Sequence, residues 1–314
     1  MATTFAEEVE KMRYSQLQEW ELAKVNYDNL RTVKTKKFVI DSIPMIVQFN
    51  PKRITSSAAK VDAKSIQERK CFLCPGNLPE QQKGVDFMGK YLVLVNPFPI
   101  FPKHLTVPSY KHEPQRIKGK ITDMLELAYS LQDYVFFYNG PKCGASAPDH
   151  LHFQAGNKGF LPIEKVFDSL KKENIVLKSN IRISQFANYP CSALIMESDH
   201  ISLIDKYFNR IYDALEIKPE EYEPMMNILA WYSQGKFKIC FFPRALHRPS
   251  CFYEGGENNI LISPASVDMG GVFITPLEKD FDKIKEKDVS MIIREVCLDK
   301  ALLQKIADQL NAYE

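Results

Sequence analysis

Apolar side chains recur at roughly helical spacing over residues 4–31 (Phe5, Val9, Met12, Leu17, Trp20, Leu22, Val25, Tyr27, Leu30), so one or two amphipathic helices open the chain. Beyond them the period becomes strand-like. "KKFVID" and "PMIVQFN" flank Ser42-Ile43 and read as a hairpin, whereas residues 51–70 are polar and mixed, as in a long surface connection. "YLVLVN" and "HLTVPS" are β-rich runs joined by the proline-laden "PFPIFPK". "KITDMLELAYSLQ" at 120–132 has helical periodicity, "YVFFYNG" reads as a buried strand, and the small-residue loop "GPKCGASAPD" leads into "HLHFQAG".

The second half follows the same grammar. "IRISQFA" and "SALIMES" read as strands, 200–216 as a helix, and "MMNILAWYSQGKFKICFFPRA" as a hairpin turning at Gln234-Gly235. "NILISP" and "GGVFITP" add strands, and 278–312 is helical with a break near Asp288. Strand, strand, helix, strand thus occurs twice. The expected fold is α+β, with two related halves, each a mainly antiparallel sheet flanked by helices. The expected divisions are a helical segment at 1–34, a first half at 35–175 and a second at 176–314.

Composition narrows the function without naming it. Hydrophobic content of 45% and charged content of 25% are ordinary for a globular protein, and a net charge of +2 argues for neither nucleic-acid nor membrane binding. The most apolar runs are short and broken by proline, so no membrane span is expected. The opening "MATTFAEEVEKMRYSQLQEW" is acidic and amphipathic, without the apolar core of a signal peptide, which makes the cytoplasm the expected compartment. Cysteines stay reduced there. Seven of them, an odd number, do not suggest a disulfide framework.

Two short stretches carry chemistry. In "DHLHFQ" at 149–154, a strand would turn His150, His152 and Gln154 to one face and pack Leu151 and Phe153 behind them. That is the look of a site, or of a half-buried strand whose polar face meets water. In "CFLCPGN", Cys71 and Cys74 stand at C-x2-C spacing inside a tight turn. Such a pair serves a metal, a redox couple or neither. The charged run before it and the turn after it lack the strand-then-helix setting of a thioredoxin motif. No second C-x2-C exists, so a four-coordinate zinc would draw its other ligands from histidines or carboxylates, with His104, His112, His150 and His152 as the candidates downstream.

With "CFLCPGN", "VNPFP", "VPSYKH" and "DHLHFQ" in this order, the chain resembles the histidine-triad (HIT) superfamily and, within it, the nucleotidylyltransferase and phosphorylase branch. That branch contains galactose-1-phosphate uridylyltransferase, the diadenosine tetraphosphate phosphorylases and the GDP-hexose phosphorylases. The motif matches cover about residues 70–160; beyond them the likeness is one of layout. The resemblance implies a zinc bound by Cys71, Cys74, His112 and His150. It implies His152 as the nucleophile that forms a covalent nucleotidyl-histidine, with Gln154 donating to phosphate oxygens where HIT hydrolases carry a third histidine. It also implies nucleotide contacts from Asn96, Asn139 and the loop Gly144, Ala145 and Ser146. His104 matches the HIT "H-x-x-V-P" stretch, in a structural or pocket-lining role. Arg244, His247 and Arg248, in "PRALHRPS", are candidates to hold an acceptor phosphate. The chain departs from the family in placing three residues, not two, between Ser146 and His150, which sets Asp149 beside the histidine.

The expected function is therefore a nucleotidyl transferase or phosphorylase. It would act on a nucleoside diphosphate sugar or dinucleotide polyphosphate, with phosphate or a sugar phosphate as acceptor. A HIT-type nucleotide hydrolase and a non-catalytic, zinc-stabilised nucleotide-binding protein are the alternatives. The resemblance leaves room for a homodimer, since this branch often builds its sites near dimer contacts.

Overall fold

The computed structural model describes residues 3–54 and 61–312; the connection expected at 51–70 lies partly outside them, and its described portion includes a helix, Ala63–Glu68. Two helices open the chain, Phe5–Glu19 and Glu21–Asn29. Thr4 caps the first: its hydroxyl accepts from Glu7 N while the Glu7 carboxylate accepts from Thr4 N, and the break falls at Trp20. Strands β1 (Lys34–Ile40) and β2 (Ile43–Phe49) form the expected hairpin. Its turn is Asp41-Ser42, both at positive φ, one residue earlier than the sequence suggests. Strand β13 (Val272–Thr275) returns from the far end of the chain to pair parallel with β2, completing a three-stranded sheet.

The remaining strands form one ten-stranded sheet. Its first half is β3 (Gly84–Phe87), β4 (Tyr91–Val95), β5 (His104–Pro108), β6 (Tyr134–Asn139) and β7 (His152–Asn157). Its second half is β8 (Lys172–Lys178), β9 (Ile181–Phe186), β10 (Leu194–Ser198), β11 (Met226–Ser233) and β12 (Lys236–Pro243). The order β3-β4-β5-β7-β6 is followed by β11-β12-β10-β9-β8, so the same arrangement is read inward from each edge. In each half one helix, Ile121–Ser130 or Ile201–Ala214, connects the third strand to the next. The two related halves are thus present and fused, through the antiparallel β6–β11 ladder from Phe136↔Ala230 to Asn139↔Asn227.

Each face of this sheet has its own core. Helices Phe5–Glu19, Ile121–Ser130, Ile201–Ala214 and Lys300–Ala312 cover one, over Tyr91, Phe136, Phe153, Phe208 and Phe241. The three-stranded sheet and helices Pro162–Val166 and Glu286–Val296 cover the other, over Phe101, Phe137, Trp231 and Phe242. Alternation along β7 sends Phe153 and Ala155 into the first core and turns His152 and Gln154 to the opposite face.

Three elements differ from expectation. Strands β3 and β8 are sheet edges whose charged residues hide an apolar alternation, as edge strands commonly do. "NILISP" forms no strand among the described residues. The C-terminal helices break at 284–285, close to the break expected near Asp288, whose carboxylate accepts from Lys285 N and caps the middle helix, and break again at 297–299. No helix among the described residues is long and apolar enough to cross a membrane.

Candidate active site and metal centre

The turn Cys71–Asn77 is closed by Asn77, whose amide donates to Cys71 O (2.8 Å) and points both sulfurs back at the sheet. Cys71 Sγ lies 3.2 Å and Cys74 Sγ 3.6 Å from His150 Nδ1, and Cys74 Sγ lies 3.3 Å from His112 Nδ1. All four ligand atoms fall within 4.8 Å of one another. His150 Nε2 sits 2.8 Å from Ser109 O and donates to it, which turns the other ring nitrogen, Nδ1, toward the thiols. Burial pushes the Cys71 thiol up, but the His150 hydrogen bond and charge outweigh it and bring the thiol down to about 6. A tetrahedral zinc with bonds of ~2.3 Å to sulfur and ~2.0 Å to nitrogen separates S and N ligands by ~3.5 Å. The donor set and its spacing fit that ion.

Asp149 belongs to this cluster. One carboxylate oxygen pairs with the Arg69 guanidinium and the other lies 3.8 Å from His112 Nε2, on the side of the ring away from the sulfurs. The extra residue before His150 therefore faces the Cys/His cluster and is not among the residues that line the neighbouring cavity.

Strand β7 begins at His152, so His150 stands in the preceding turn and does not share the strand face with His152 and Gln154. The three-residue face expected from the sequence is a two-residue face plus a turn. His152 Nδ1 donates to His150 O (2.8 Å), which leaves Nε2 bare; among the described residues no side chain engages it, and His152 borders a cavity of about 860 Å³. Burial holds the His152 ring neutral, its pKa down to about 4. Gln154 Oε1 faces His104 Nε2 at 3.2 Å and accepts from Asn96 Nδ2 at 3.5 Å. His104 Nδ1 accepts from Ile100 N (3.1 Å), which forces the ring proton onto Nε2 and makes it the donor to Gln154. Gln154 Oε1 thus faces two donors, and the residue lines the cavity. His104 is fully buried; desolvation, aided by the charge of Arg53, holds its pKa down to about 3.

The cavity gathers most of the expected residues. Asn96, Asn139, Gly144, Ala145, Ser146, His152, Gln154, His247 and Arg248 all line it. Asn139 also joins the halves: its Oδ1 accepts from Asn227 Nδ2 (3.0 Å) and Ser266 N (2.9 Å). Gly144 has φ +96°, and a Cβ there would stand 2.5 Å from the Ala265 Cβ, so the loop approaches the second half as only glycine permits. Arg244 is elsewhere. It is buried, and its guanidinium donates to Asn227 Oδ1 and to the carbonyls of Val296, Pro264, Leu246 and His247. It holds the loop that presents His247 and Arg248, and no donor is left for a phosphate.

Sequence reasoning missed two cations and one wall. Arg53, which donates to Phe98 O (2.7 Å), and Arg69 both border the cavity, though neither sits in any motif. Trp20, one of the apolar residues of the opening helices, is buried and forms part of the cavity wall. In the second half, β12 occupies the place of β7 but turns Cys240 and Phe242 into the apolar core.

Comparison with known proteins finds two family models along the chain. Residues 12–157 match the model of a domain of unknown function, DUF4922, and residues 161–312 match that of the GDPGP1-like C-terminal domain. No curated protein matches the chain. Among solved structures, yeast Ap4A phosphorylase Apa2 superposes with a TM-score of 0.58 at 17% identity, over 89% of this chain and 98% of that one. Its complex with Ap4A gives 0.59 at 16% identity over 95% and 99%, and its complex with AMP 0.55 at 17% over 88% and 94%. At such identity these likenesses speak for the fold. The chain thus has the fold seen in yeast Ap4A phosphorylase, and its second half is similar to a GDPGP1-like C-terminal domain.

Proposed function

We propose that this protein is a zinc-containing nucleotidyl-transferring phosphorylase or transferase that works through a covalent nucleotidyl-histidine at His152. Its donor would be a nucleoside diphosphate sugar or a dinucleotide polyphosphate, in keeping with the Ap4A and AMP bound by its structural neighbours. One observation carries the reading: His152 presents a bare, neutral Nε2 to a cavity that Gln154, Arg53 and Arg248 also line.

In the first step Nε2 attacks the α-phosphorus, a P–N bond forms, and the P–O bond to the sugar phosphate or nucleoside polyphosphate breaks. That leaving group departs as a phosphate anion, which needs no general acid, so glutamine suffices at position 154. In the second step an oxygen of the acceptor phosphate attacks the same phosphorus and the P–N bond breaks, restoring the imidazole. The carbonyl of His150 holds the Nδ1 proton and shares the positive charge that develops on the ring. Arg248 and His247, on the loop that Arg244 secures, would receive the acceptor. Zinc, bound by Cys71, Cys74, His112 and His150, would serve as a structural cross-link between the 71–77 turn and the segments that carry the two histidines.

Incubation with α-labelled UDP-, GDP- and ADP-sugars and with dinucleotide polyphosphates tests this. Acid-labile label on the chain, lost in His152→Ala and discharged by inorganic phosphate, is the expected result. Label discharged equally by water would favour a hydrolase, and absence of label from every donor would sink the covalent route.

A further inference from the structure

We propose that Gln115 is a positioning residue for His152, a role that rests on His152 being the nucleophile. The β6–β7 ladder runs from Tyr134↔Asn157 to Phe137↔Gln154, and continuing its register would set Asn139 opposite His152. The strands do not meet there. β6 stays with β11 as far as Asn139↔Asn227, and the gap left against β7 is where the phosphate loop departs. Gln115 fills it. Its side chain, fully buried, donates from Nε2 to Asn139 O (2.9 Å) and His152 O (3.0 Å) and accepts from His152 N (2.8 Å) at Oε1.

A carboxamide carries the same donor and acceptor as a peptide group, so Gln115 acts as a missing residue of the ladder. Both backbone polar groups of His152 depend on it. The opposite neighbour on β5 is Pro108, which has no N–H to offer. Because His152 Nδ1 is tied to the carbonyl of His150, the direction of Nε2 follows the backbone of 150–152. That backbone is strapped by residues 113–115: Leu151 N donates to Glu113 O (2.7 Å), and Gln115 N to Pro148 O (3.0 Å). The strap starts one residue after His112, so the metal donors and the aim of the nucleophile are joined by four consecutive residues.

The test uses the full-length zinc-loaded protein with Gln115→Met, close in size and without the amide, and Gln115→Asn, which keeps the amide at shorter reach. Each is measured for the single-turnover rate of label transfer to His152, for nucleoside diphosphate affinity through Trp fluorescence, and for the His152 ring tautomer by 15N-histidine NMR. Gln115→Met should slow transfer by roughly 100-fold, the cost of a misplaced reacting atom, with affinity changed by less than about threefold. It should also convert a single Nδ1–H tautomer into a mixture. Gln115→Asn should fall between, and it decides the matter if the methionine variant does not fold. Equal losses of affinity and rate, or an unchanged tautomer and rate, would overturn the role of Gln115. Wild-type protein that binds nucleotide but never takes label would refute the nucleophile instead, and the tautomer measurement would still judge Gln115.

Discussion

Replacing His104 by phenylalanine should cost stability at neutral pH and return it in acid. The ring keeps its volume between Phe101 and Phe137, but the Ile100 N–H loses its acceptor and Gln154 loses its donor. An orphaned buried N–H costs about 1–3 kcal/mol and the lost hydrogen bond about 1, so His104→Phe should be destabilised by about 2–4 kcal/mol at pH 7.5. The wild type carries a liability the variant lacks. His104 is held to about 3 by burial, below the ordinary 6.5, so the unfolded chain takes up a proton that the folded one refuses. Its contribution is complete above pH 6.5 and is lost as pH falls toward 3, at about 1.4 kcal/mol per pH unit. Between pH 6.5 and 4.5 that amounts to about 2.7 kcal/mol, enough to bring variant and wild type near parity. Urea denaturation followed by Trp fluorescence at pH 7.5 and 4.5 reads the difference, in which groups common to both proteins cancel. A difference that stays constant between the two pH values would show that His104 is not a neutral buried donor, and the orientation assigned to the Gln154 amide would fall with it.

Other outcomes follow from the same geometry. Gly144→Ala places a Cβ at positive φ against Ala265 and should weaken nucleotide affinity together with about 1–3 kcal/mol of stability, read by titration and melting. Asp149→Asn removes the carboxylate facing His112 Nε2 and should weaken zinc binding roughly 10-fold in competition with a chromophoric chelator, whereas unchanged affinity would detach Asp149 from the cluster. Cys71→Ser should abolish stoichiometric zinc on metal analysis, and full retention would refute the ligand set. Arg248→Ala should raise the phosphate concentration needed to discharge the labelled enzyme while leaving the rate of labelling within about threefold, since the acceptor enters only in the second step.

Much of this molecule is legible in its sequence because local periodicity fixes local structure. The opening helices, the β1–β2 hairpin, the β11–β12 hairpin and the twice-used order of strands and helix follow from spacing alone. The cysteine pair and the H-x-H-x-Q string announce themselves because metal ligation and covalent transfer need particular side chains at short separations. What the sequence hides is whatever depends on partners distant along the chain. His150 and His152 look alike in "DHLHFQ", yet a turn sends one to Cys71 and a strand gives the other to the cavity. Arg244 and Arg248 look alike in "PRALHRPS", yet one is consumed by backbone carbonyls and the other borders the cavity. Gln115 and Arg53 carry no motif at all, because an amide that replaces a peptide and a guanidinium that meets a cavity are defined only by what folds around them. Residue type sets which bonds a side chain is able to make; the tertiary structure decides which are already made, and function is left to those that are not.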